Sequence, residues 1–232
     1  MKGSRIGFSK LVIAGAILFR GALVLASGDG SGVTADEALQ RLLDGNKRYV
    51  ESKMNACDES NGAAREKLAQ SQKPYAIILS CSDSRVPPEI IFDKGLGEIF
   101  VVRVAGNVPD PVVLGSIEYA AEHLGSALVM VLGHERCGAV TAAVDAKGKP
   151  EGNIGAIVTN IAPAVKQAKD EYKGKNKAEL VEIAINDNVK LVAANIVKQS
   201  LVMKKLVGEG KVKIVAAKYD LDDGKVTLME SK

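Results

Sequence analysis

Residues 75–81 read YAIILSC, residues 99–105 read IFVVRVA, and residues 127–134 read ALVMVLGH. Each is a short, continuous apolar run rich in Val, Ile and Leu, the pattern of a strand buried on both faces. A helical stretch is predicted over 111–124, between the second and third runs, and another begins near Cys137. Strands alternating with helices require crossover connections, so the fold class is α/β, with a mainly parallel central sheet flanked by helices.

The remaining chain extends this plan. Thr34 or Asp36 can cap a helix in which Ala38, Leu39, Leu42, Leu43 and Tyr49 recur at helical spacing, giving an N-terminal helical arm. A polar loop over 54–62 and a short helix near 63–70 follow. From Asn153 to about Leu206 the pattern is mostly helical, broken at 173–177 (KGKNK). Val212 to Tyr219 reads as a further strand, and Asp222-Asp223-Gly224 is a turn leading into a hairpin-like strand, Lys225 to Met229.

The first 26 residues read as an address. Lys2, Arg5 and Lys10 precede an apolar run from Leu11 to Phe19, and Val24-Leu25-Ala26 offers a cleavage site before Ser27. Arg20 interrupts the apolar stretch and argues against a transmembrane helix. The expected organisation is a signal peptide over 1–26, a flexible linker over 27–34 (SGDGSGVT) and one domain over 35–232. The processed protein is then periplasmic or secreted, with no stable membrane insertion. Processing removes four basic residues and no acid, which leaves 27 basic against 28 acidic residues. That balance gives no footprint for nucleic acid.

Ligands bind beyond the carboxyl ends of the strands in open α/β sheets. Cys81-Ser82-Asp83-Ser84-Arg85 ends the first run, and His134-Glu135-Arg136-Cys137 ends the third. Cys81, His134 and Cys137 therefore meet at one sheet edge, as two thiolates and an imidazole. Three protein ligands with a fourth position open suit a catalytic Zn2+ rather than a structural one. Asp83 is near enough to compete for the fourth position or to orient a water there, and Arg85 can hold its carboxylate in a bidentate pair. Buried inert thiols are the alternative for Cys81 and Cys137, and a Cys137–His134 nucleophile stays formally open. A cysteine phosphatase loop is excluded, because the residue six after Cys81 is Pro87. His123, late in a helix, and Cys57, in the polar loop, read as incidental.

At these residues the chain resembles the β-class carbonic anhydrases, of the bacterial, exported, open-site type. The resemblance runs from about Ala35 to Met229 and rests on CSDSRVPPE at 81–89, GEIFVVRVAGN at 97–107, SIEYA at 116–120 and GHERCGAV at 133–140. It implies zinc-dependent, reversible hydration of carbon dioxide to bicarbonate, with Zn2+ on Cys81, His134 and Cys137 and an Asp83–Arg85 catalytic dyad. It also implies a substrate pocket that uses Gln72, Phe100 and Tyr119, and a turn at Gly106 and Asn107 beside it. A homodimer or higher even oligomer is implied as well, its N-terminal helix wrapping the partner. Some members of the family close the site with the dyad aspartate and hold bicarbonate elsewhere with a Trp. This chain has no Trp, which favours the open form and leaves Arg103 a structural role. Hydrolysis of carbon disulfide or carbonyl sulfide on the same zinc is the competing expectation.

Overall fold

The computed structural model describes residues 30–56, 60–148, 150 and 152–230; the segment expected to be a signal peptide, the start of the linker (27–29) and Cys57 lie outside them. The strands are β1 (Ala76–Ser80), β2 (Ile99–Arg103), β3 (Leu128–His134), β4 (Lys213–Tyr219) and β5 (Val226–Met229). The helices are α1 (Ala35–Val50), α2 (Gly62–Leu68), α3 (Pro88–Ile91), α4 (Pro111–Glu122), α5 (Gly138–Asp145), α6 (Ile154–Glu171), α7 (Lys177–Gln199) and α8 (Leu201–Gly208). The sheet order is β2-β1-β3-β4-β5, with β1 to β4 parallel and β5 antiparallel to β4. The three apolar runs are thus its three neighbouring strands, and the Asp222–Gly224 turn closes the hairpin.

Strand parity divides the core into two layers. Ala76, Ile78, Leu128, Met130 and Leu132 face the layer built with α1, α3, α5, α6 and the first half of α7. Ile77, Leu79, Val129 and Val131 face the layer built with α4, α8 and the second half of α7. His134 continues the 128-130-132 parity and so belongs to the first layer, which also contains Cys81 and Cys137.

Thr34 caps α1 in a reciprocal capping box with Glu37. The helix packs on its own chain: Asn46 Nδ2 donates to the carbonyls of Ile91 (3.2 Å) and Gly224 (2.8 Å), and its Oδ1 accepts from Val226 N–H (2.9 Å). Gly45 makes the approach possible, because a Cβ there would fall 1.8 Å from the Phe92 carbonyl oxygen. The expected arm is therefore docked on its own subunit along the face that carries Ala38, Leu42, Gly45 and Asn46. The helical stretch beyond Asn153 has a second break besides 172–176. Ser200 ends α7 and caps α8, its hydroxyl accepting from Met203 N–H at 2.9 Å.

Candidate metal centre

Cys81 follows β1 directly, His134 is the last residue of β3, and Cys137 immediately precedes α5. Because β1 and β3 are parallel neighbours in register, their carboxyl ends bring the three side chains together. Their ligand atoms all lie within 4.8 Å of one another, and each residue is buried. The two sulfurs are 4.0 Å apart; two thiolates on one tetrahedral Zn2+, at about 2.3 Å each, stand about 3.8 Å apart.

His134 is oriented as a ligand. Its Nδ1 is 2.8 Å from the Glu135 carbonyl oxygen, which can only accept, so Nδ1 carries the proton. Nε2 is then left with its lone pair, buried and with no hydrogen-bond partner among the described residues. A buried polar atom in that state costs free energy unless something fills its place, and a metal ion held by Nε2 and the two sulfurs would do so. The residues fit zinc.

The thiol pair is electrostatically prepared. Hydrogen bonding from Cys137 is the largest influence lowering Cys81, burial opposes it, and the Gly106 N–H (3.3 Å from Sγ) adds to the fall. Cys137 is pushed up by that same neighbour and by burial. The pair favours a single shared negative charge, and a second thiolate would need a cation beside it, so metal binding would release a proton.

Asp83 and Arg85 form the expected bidentate ion pair at the rim. Arg85 Nε donates to Oδ1 at 2.9 Å, Nη2 to Oδ2 at 2.7 Å, and the Arg85 backbone N–H to Oδ1 at 3.0 Å. The guanidinium beside it holds the Asp83 carboxyl well below the usual carboxylate range. Asp83 Oδ2 stands 3.9 Å from His134 Nε2. Arg103 braces the same loop, donating from Nε to the Cys81 carbonyl (3.0 Å) and from Nη2 to the Asp83 carbonyl (2.6 Å).

Gln72, Phe100 and Tyr119 are not brought to this cluster within one chain. Gln72 is exposed ahead of β1, at the opposite end from Cys81, with about 16 Å of strand between them. Phe100 packs with the second layer, on the other side of the sheet from the ligands. Tyr119 stacks near it on α4 at 6.4 Å between ring centroids, and His123 lies 5.5 Å beyond Tyr119. Tyr119 is 48% exposed.

Three further residues shape the site, and two of them escape the sequence patterns. Gly106 N–H faces Cys81 Sγ, buried Asn188 Nδ2 donates to the Gly106 carbonyl at 2.9 Å, and Glu182 Oε1 accepts from Arg136 N–H at 2.9 Å. Gly106 sits in a recognised motif; Asn188 and Glu182 carry no local signal, since both act from a helix far away in sequence.

Comparison with known proteins shows the family. A family model described as carbonic anhydrase matches residues 76–226. Carbonic anhydrase 2 of Mycobacterium tuberculosis is 40% identical over 203 residues, covering 83% of this chain and 92% of its own length. The carbonic anhydrase of Mycolicibacterium smegmatis is 38% identical over 202 residues, covering 82% and 91%. Among solved structures, a β-carbonic anhydrase of Aspergillus fumigatus superposes with a TM-score of 0.69 at 25% identity, covering 84% of this chain and 91% of that one. The Coccomyxa β-carbonic anhydrase shares the fold at a TM-score of 0.69 and 24% identity, covering 82% and 86%. The strand ends that gather two cysteines and a histidine therefore sit in a shared framework, and the chain belongs to the β-class carbonic anhydrase family.

Proposed function

We propose that this protein hydrates carbon dioxide reversibly at a zinc ion held by Cys81, His134 and Cys137, with Asp83 and Arg85 serving the open fourth position. The observation that carries the reading is the buried, partnerless Nε2 of His134 facing two converging thiols beside an ionised carboxylate. Zinc in such a site lowers the pKa of a water in its open position to about 7. Asp83, kept ionised, is an acceptor only. It therefore selects and orients a group that carries a hydrogen, such as water or the hydroxyl of bicarbonate. Arg85 fixes that carboxylate with three donors, and Arg103 keeps its loop against the sheet edge. Arg85 engages both Asp83 oxygens and competes with a metal for them, which supports the open form. Carbon disulfide or carbonyl sulfide hydrolysis finds no support among the relatives named above. Stopped-flow hydration of carbon dioxide by the zinc-loaded protein tests the activity.

The functional unit is a homodimer or higher even oligomer. Gln72, Phe100 and Tyr119 form no pocket with the ligands of their own chain, and Val112 (78% exposed) and Tyr119 (48%) leave an apolar surface on α4 for a second copy. Sedimentation equilibrium reads this directly, and a monomer throughout would contradict it. Export as a periplasmic or secreted protein rests on residues 1–26. N-terminal sequencing of protein from the native host should start near Ser27, whereas an intact Met1 in a cytoplasmic fraction would overturn the assignment. Among the described residues no helix is long and apolar enough to cross a membrane.

A further inference from the structure

α7 changes layer as it passes the metal centre. Val181, Ala184 and Ile185 pack in the first apolar layer, and Val189, Val192 and Ile196 pack in the second. The residues between these groups run past the carboxyl edge of β3, and the helix grips both halves of the site nearby. Glu182 Oε1 accepts the Arg136 N–H at 2.9 Å, inside the loop that joins His134 to Cys137. Val189 sits against Gly133, the residue before His134, so closely that a Cβ on Gly133 would fall 2.2 Å from Val189 Cγ2. Asn188 Nδ2 donates to the Gly106 carbonyl at 2.9 Å, and the Gly106 N–H points at Cys81 Sγ, 3.3 Å away.

Both polar contacts are built at a cost. Asn188 is 2% exposed, where an apolar side chain would pack without the expense of burying an amide. Arg136 has a φ of 50°, a left-handed conformation that a non-glycine residue keeps only when its surroundings hold it there. Glu182 holds its N–H, and Asp222 holds its guanidinium through a fork of 3.0 and 2.9 Å. Lys218, 3.5 Å from Glu182 and 3.6 Å from Glu135, ties the same loop to β4.

We propose that Asn188 and Glu182 are positioning residues of the metal centre. Through them α7 sets the separation between the Cys81 turn and the His134–Cys137 loop. The inference rests on the zinc reading above, and partners of this kind are worth 10–100-fold in metal affinity where they have been removed elsewhere.

The test compares zinc release to a chelator, and the thiolate-to-metal absorption of the Co2+-substituted protein, across four variants of the full chain. Glu182→Ala and Asn188→Asp, which remove an acceptor and a donor, should release zinc about 10–100-fold faster and shift the cobalt spectrum. Glu182→Gln keeps an amide oxygen for the Arg136 N–H and should stay near the parent. Val192→Ala, which loosens the same helix in the second layer, should lower stability and leave both readouts unchanged. Parent-like release from Glu182→Ala, a position tolerant of change because its side chain is 31% exposed, would overturn the role of Glu182. The role of Asn188 falls if Asn188→Asp folds and behaves as the parent. Equal effects from Val192→Ala would reduce both residues to packing. A parent chain that takes up no metal refutes the zinc reading itself, and the inference with it, while a metal-binding parent matched by its variants refutes the inference alone.

Discussion

Gly106 offers a perturbation whose cost can be divided into parts. Its φ is 72°, where an L side chain costs about 1–2 kcal/mol. A Cβ there would also stand 2.7 Å from Cδ1 of Ile161, a fully buried residue with little room to retreat. Overpacking of that kind costs about 1–3 kcal/mol, so Gly106→Ala should lose about 2–5 kcal/mol altogether. Ile161→Val deletes the clashing Cδ1 and by itself costs about 0.5–1.5 kcal/mol. If the clash is real, the double variant recovers the steric part, leaving the backbone strain and a coupling of about 1–3 kcal/mol. Urea unfolding of the four proteins at one fixed concentration measures the cycle. Additivity within about 0.5 kcal/mol would refute the argument, because removing Cδ1 would then have made no difference to the new methyl group.

Asp83→Asn keeps the shape of the dyad but removes the charge and one acceptor. Carbon dioxide hydration should fall by about 10²–10⁴ with zinc retained, and loss of the metal along with the rate would instead make Asp83 a ligand. A second expectation concerns pH and the fold. Burial pushes the Asp93 carboxyl up, but Arg48 Nε (2.6 Å) and the N–H groups of Ala56 (2.8 Å) and Asn55 (3.0 Å) outweigh it, so it titrates below its ordinary value. A group depressed by folding contributes fully above its unfolded value of about 3.9 and loses that contribution as pH falls through the folded value. Asp93→Asn should therefore cost about 1–3 kcal/mol at neutral pH, and the gap from the parent should narrow below about pH 4. Urea melts at the two pH values read this, and a gap independent of pH would contradict it.

The parts of this protein legible in its sequence are those written in local pattern. The three apolar runs predict β1, β2 and β3 because a strand covered on both faces has no polar side to show. Cys81 and His134 were placeable because each ends such a strand, and Cys137 because a tight turn follows His134. What escaped depends on contacts distant in sequence. The apolar period continues through Ser200, so the break between α7 and α8 is visible only once its hydroxyl is seen capping Met203 and bonding Glu118. Asn188 and Glu182 resemble ordinary helix residues until the crossing of α7 over the sheet edge aims them at Gly106 and Arg136. Motif blocks also say nothing about which subunit a side chain serves. Phe100 and Tyr119 stand in the expected blocks and Gln72 ahead of the first strand, yet the folded chain sets all three apart from its own ligands.

The central claim is that Cys81, His134 and Cys137 hold one zinc ion that carries out the hydration. Titrating metal-free protein with Zn2+ while following carbon dioxide hydration by stopped flow tests it most directly. The rate should rise linearly and saturate at about one zinc per chain, and Cys137→Ser, titrated in parallel, should stay near the uncatalysed rate over the same range. A metal-free protein already at full rate, or Cys137→Ser matching the parent at equal zinc, would contradict the account.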